Sequence, residues 1–160
     1  MTVETVLEDA RWAGLAEMAT RATDATLSYL GLSPEKWDIS LLACDDVRIA
    51  TLNAEFRGKP QPTNVLSWPT QDRAPAAPGQ APARPEPGPD PELGDIAIAY
   101  DTCAREAAAG GVAFEDHVTH LLVHATLHLL GYDHIDDADA SIMEQTEAEI
   151  LATLGVANPY

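Results

Sequence analysis

With 160 residues, 46% of them hydrophobic, the chain is long enough for one buried core and too short for two, so a single domain over 1–160 is expected. Nine Lys and Arg against 26 Asp and Glu give a formal net charge of −17. This argues against charge-driven, nonspecific binding to nucleic acid, and no DNA partner is expected. The opening Met1-Thr2-Val3-Glu4-Thr5-Val6-Leu7 has no basic stretch leading into an apolar run, and no later segment is long and apolar enough to span a bilayer, which predicts a cytoplasmic protein without a membrane partner.

In chain order, weak alternation over Thr2 to Glu8 suggests an edge strand. Leu15, Met18, Ala22, Ala25, Leu27 and Leu30 then form a helical stripe ending at Gly31. Trp37 to Cys44 reads as a strand, and Asp45 or Asp46 as the cap of a helix that carries Ile49, Leu52 and Phe56 and stops near Gly58. Arg48, Arg57 and Lys59 fall in or just after this stretch as a small basic group within an acidic chain; taken alone, Arg48 and Lys59 read equally well as scattered surface charge, and Arg57 reads as an ordinary helix-end surface arginine.

Asn64 to Trp68 and Asp95 to Tyr100 are two further strands, the second starting after a turn at Gly94. Between Pro69 and Pro91 lie eight of the twelve prolines, mixed with alanine, glycine and charge. That composition buries too little apolar surface to fold by itself, so a flexible proline-rich insertion is expected at about 69–92. Three helices follow, around Thr102 to Ala109, Phe114 to Leu130 and Asp137 to Leu154. In the last, Ile142, Met143, Ile150, Leu151 and Leu154 pack while Glu144, Glu147 and Glu149 form a solvated acidic face. Asp136, Asp137 and Asp139 suit the cap and dipole of its first turn. Cys44 and Cys103 have neither redox nor zinc-knuckle spacing and read as reduced core thiols.

The most specific segment is His124-Ala125-Thr126-Leu127-His128-Leu129-Leu130-Gly131-Tyr132-Asp133-His134. On one helix His124 and His128 stand roughly 6 Å apart and about 40° round the axis, so both imidazoles reach one ion. A left-handed Gly131 would turn the chain back and bring His134 to the same point. Three neutral nitrogens leave a tetrahedral Zn2+ one open position, which suits catalysis better than a purely structural role. His120 lies one turn before His124, but three ligands in line on a helix cannot share an ion, so His134 is the better third ligand. Asp133 is near enough to ligate or to orient an imidazole. The spacing matches the metzincin motif His-Glu-x-x-His-x-x-Gly-x-x-His, except that Ala125 occupies the position of the glutamate base, which disfavours a zinc peptidase.

The histidine block, together with Leu52-Asn53-Ala54-Glu55-Phe56-Arg57-Gly58-Lys59, Pro62-Thr63-Asn64-Val65-Leu66-Ser67-Trp68 and Leu93-Gly94-Asp95-Ile96, closely resembles the YbeY family of bacterial rRNA maturation factors. The likeness runs from about Trp37 to Gly155, apart from the proline-rich stretch. Ala125 stands where the family commonly has glycine, and Trp68 where it commonly has phenylalanine. The resemblance implies an α+β fold: a single domain with a small mixed sheet of about four strands, surrounding helices, and a zinc site on a central helix and the turn after it. It also implies a zinc-dependent, single-strand-specific endoribonuclease acting in 16S rRNA 3′-end maturation and ribosome quality control. The metal ligands, for one ion per chain, would be His124, His128 and His134, and Arg57 would be catalytic. Its implied partners are rRNA or other single-stranded RNA, ribosomal small-subunit proteins and an assembly GTPase. A noncatalytic assembly factor with a structural metal, or a metzincin-like hydrolase, are the alternatives.

Overall fold

The computed structural model describes residues 3–75, 77–86 and 90–160; Thr2 of the expected first strand and residues 76 and 87–89 of the proline-rich stretch lie outside them. Four strands, β1 (Val3–Leu7), β2 (Asp38–Cys44), β3 (Val65–Pro69) and β4 (Glu92–Ala99), form one sheet in the order β1-β2-β4-β3. The first three in that order run parallel, and β3 pairs antiparallel with β4 at the edge, so the sheet is mixed and the fold is α+β. Five helices complete it: α1 (Leu15–Tyr29), α2 (Asp46–Arg57), α3 (Tyr100–Gly110), α4 (Phe114–Leu129) and α5 (Asp137–Thr153).

The side-chain alternation of β2 explains the layering. Ile39, Leu41 and Ala43 enter the main core with α1, α4 and α5, while Cys44 joins Ile49 of α2 and Leu66, Ala97 and Ala99 in a smaller cluster on the opposite face. Both faces of β2 are therefore covered, and its run reads as almost continuously apolar. The indole of Trp12 is buried in the main core and donates from Nε1 to the Cys44 carbonyl at 2.9 Å.

α2 begins where its cap predicts, with the Asp45 carboxylate accepting from the Arg48 amide at 2.8 Å, and it ends at Gly58. The start of β4 differs from expectation. Gly94 was expected as the turn before the strand, yet β4 runs from Glu92 straight through it. At φ +152° and with the Trp68 carbonyl 2.3 Å from where a Cβ would sit, the position admits glycine because β3 and Leu129 of α4 crowd the strand there, not because the chain turns. The register shift between Asp38 and Ile39 lies alongside it.

The proline-rich stretch has no regular structure in its described part, but it touches the body at defined points. The Arg73 guanidinium donates to the Leu129 carbonyl at 2.8 Å and to the Leu93 carbonyl at 3.3 Å, and the Gly79 amide donates to Asp139 at 2.8 Å. Among the described residues no helix is long and apolar enough to cross a membrane.

Candidate metal centre

α4 is the central helix, in contact with α1, α3, α5, β3 and β4, and most of its surface is apolar and buried. His117, His120, His124 and His128 recur at helical spacing along its one polar stripe. The helix stops at Leu129. The chain then turns through Gly131 at φ +101°, with the Arg73 carbonyl oxygen 2.2 Å from where a Cβ would lie. Glycine is required there by backbone conformation and by lack of space. The His134 amide donates to the Asp133 carboxylate at 2.8 Å, which fixes the end of the turn.

This path brings the turn back against the helix. One nitrogen from each of His124, His128 and His134 lies within 4.8 Å of the others, and among the described residues this is the one group of three or more His, Cys, Asp or Glu so placed. The Nε2 atoms of His124 and His128 are 3.1 Å apart. Two nitrogens each about 2.1 Å from a tetrahedral zinc would stand about 3.4 Å from one another, so the donor set fits a zinc ion. Burial, reinforced by the neighbouring His124 and His134, pulls the His128 pKa down to about 4, which keeps its imidazole neutral and available as a donor. His124 and His128 are half-buried and His134 is exposed, so the group opens to solvent on the turn side.

Behind the helix stripe stands a residue that the sequence reading misplaced. Glu147 does not lie on a solvated face; it is buried, with its side chain 1% exposed. Its Oε1 is 3.1 Å from His124 Nδ1 and 2.9 Å from His120 Nε2, and its Oε2 accepts from the Tyr160 hydroxyl at 3.0 Å. Burial alone would raise its pKa, but the hydrogen bonds from His120 and His124 outweigh that and bring it to about 2. The carboxylate thus faces Nδ1 of His124, and Nε2 is the nitrogen directed at His128. The signal was present in the spacing: Met143, Glu147, Ile150 and Leu151 occupy one helical stripe, and the other three are core residues. Tyr160, which also came without any pattern to mark it, is held in its protonated form by burial and by the Glu147 charge.

A cleft of about 550 Å³ opens in front of the three histidines, walled by α4 and by Thr63 to Ser67, the start of β3 and the two residues before it. Arg57 reaches its rim from the end of α2, where Asn53 donates to the Gln61 carbonyl at 2.9 Å and ties down the following loop. Arg57 is exposed and outside the histidine group, but shares its cleft. The rest of the basic cluster is elsewhere: Arg48 pairs with Glu8 at 3.2 Å. Asn64 is occupied structurally, donating to Glu106 at 2.9 Å and accepting from the Val65 amide at 2.6 Å. Ala125 is buried and lines the cleft with a methyl group. Asp133 also lines it, with one oxygen engaged by the His134 amide.

Fold and site together define a class: α+β proteins in which a helix and the turn after it present three histidines able to hold one metal ion at the floor of an open cleft. A family model described as Endoribonuclease YbeY matches residues 4–155, which includes the amino end where motifs are weakest. The chain belongs to this family. A relative from Dinoroseobacter shibae named Endoribonuclease YbeY is 62% identical over 164 residues, covering 99% of this chain and 90% of that protein. One of the same name from Ruegeria pomeroyi is 60% identical over 163 residues, covering 100% and 98%. The solution structure of a Thermotoga maritima protein superposes with a TM-score of 0.61 at 19% identity, over 93% of this chain and 86% of that one, and shares the fold.

Proposed function

We propose that this protein is a zinc-dependent, single-strand-specific endoribonuclease of 16S rRNA 3′-end maturation and ribosome quality control, working in the cytoplasm. His124, His128 and His134 hold the ion and Arg57 acts on the substrate. The observation that carries this reading is the convergence of three imidazole nitrogens at the floor of a cleft whose rim bears Arg57. Membership of a family described as Endoribonuclease YbeY supports the reaction type.

Zinc, when bound, supplies Lewis acidity toward a phosphoryl oxygen or a water. The protein's own residues do the rest. Cleaving a phosphodiester adds negative charge around phosphorus, and a guanidinium on the cleft rim stabilises that growing charge through paired N–H donors. Thr63 and Ser67 line the cleft and offer their hydroxyls to an unpaired strand. An acidic body of net charge −17 holds isolated RNA weakly, so recruitment by ribosomal small-subunit proteins and an assembly GTPase completes the proposal.

The metzincin-like alternative lacks its base, since Ala125 offers only a methyl group and the buried Glu147 is engaged behind His124. The test measures bound metal and cleavage of a single-stranded RNA together in the wild type, His128→Ala and Arg57→Ala. The expected result is loss of metal in the first variant only and loss of cleavage in both. Full cleavage by Arg57→Ala would remove that residue from the reaction. Cleavage that survives removal of all metal would overturn the metal-dependent reading.

A further inference from the structure

We infer that Glu147 is a positioning residue of the metal centre, fixing the ring orientation and tautomer of His124 from behind and so raising the affinity of the three histidines for a divalent ion. This rests on the reading of His124, His128 and His134 as the ligands.

A carboxylate at this place needs a reason. Met143, Ile150 and Leu151, its neighbours on the same helical stripe, are fully buried, and α5 would pack there with an apolar side chain at no desolvation cost. Glu147 instead sits in the core with both oxygens partnered, by His120 and His124 on Oε1 and by Tyr160 on Oε2. A tie between α4 and α5 would be served by His120 alone. The second contact goes to Nδ1 of His124, the nitrogen facing away from His128, and this is the bond that turns a freely rotating imidazole with two tautomers into one with a single presented lone pair. A carboxylate behind a histidine ligand fixes its ring and makes its other nitrogen more basic.

His128 supplies the contrast. Among the described residues no carboxylate is hydrogen-bonded to it, and its one side-chain hydrogen-bond contact is with Nε2 of His124 at 3.1 Å. The two helix ligands are therefore prepared differently, and the effect of removing Glu147 should fall on His124.

The test uses Glu147→Gln, which keeps the side chain's size and can still accept from His124 while losing the charge. Zinc affinity is measured by competition with a chromogenic chelator, beside thermal melting of the metal-free protein, with His128→Ala as reference. The expected result is a loss of about 10- to 100-fold in affinity that the change in melting does not account for. Affinity within about threefold of the wild type would overturn the inference and assign Glu147 to helix packing alone. Unchanged affinity in His128→Ala would instead overturn the ligand reading, so the two failures are separable. Should Glu147→Gln fail to fold, the metal-free wild type decides by long-range 1H–15N NMR of its imidazoles. An Nδ1-protonated His124 supports the inference, and an Nε2-protonated one overturns it.

Discussion

The two halves of the histidine group are built on different principles. His124 and His128 stand on the most enclosed helix of the protein, their backbones fixed by its hydrogen bonds and by a packed core. His134 stands on an irregular turn and is exposed, placed by one glycine, one hydrogen bond from its amide to the Asp133 carboxylate and the chain around Arg73 lying against the turn. On the proposed ligand set the helix half would confer affinity, because little conformational freedom remains to be lost when an ion binds. The turn half would confer access, because a ligand in contact with solvent leaves room for substrate beside it.

The comparison breaks most severely at the helix. Structural zinc sites with four ligands bind with 10–16 kcal/mol in all, or about 3 kcal/mol for each ligand, so His128→Ala should weaken zinc binding on the order of 100-fold. His134→Ala should cost several times less, since water replaces an exposed ligand more readily than a buried one; chelator competition on both variants checks the order. Equal losses would show that exposure does not distinguish the two halves.

Gly131→Ala attacks the turn without touching a ligand. A left-handed backbone and a methyl group 2.2 Å from the Arg73 carbonyl oxygen must both be accommodated. A cost of about 2–3 kcal/mol follows, or roughly 5–10 °C in the melting temperature of the metal-free protein. Zinc affinity should fall with it, because His134 moves.

Arg73→Ala makes the smallest change. It leaves the Leu129 carbonyl at the end of α4 without its guanidinium donor, worth about 1–2 kcal/mol of stability. Any accompanying loss of zinc affinity should vanish in a His134→Ala background, as a double-mutant cycle would show. A loss that persists there would mean that Arg73 acts on the helix half instead.

Much of this was legible in the residues. Asp45 and Gly58 marked both ends of α2, and the spacing from His124 to His134 marked the three histidines that converge, because caps, turns and helical periodicity are local. The missing parts are those that depend on distant contacts. Glu147 looked like one more acid on an acidic helix until burial separated it from Glu144 and Glu149. Arg73 lies in a stretch without periodicity, and only the folded chain brings it to Leu129, 56 residues away in sequence. The insertion of β4 between β2 and β3 has no local signature, and Gly94 was read as a turn because close approach of another backbone leaves no mark in a sequence.

The three tryptophans divide along the same lines. Trp12 and Trp37 are enclosed, at 2% and 3% exposure, whereas Trp68 is half-buried on β3 beside Ser67 of the cleft and meets Phe56 edge-on at 5.0 Å between ring centres. Two indoles are thus enclosed in the core, and the third turns away from the cleft, on the face of β3 opposite to Ser67. The intrinsic fluorescence of the protein therefore contains a constant background from the core and one natural reporter of the α2 side of the sheet, where Trp68 packs with Leu52 and Phe56, available without a dye or an added label.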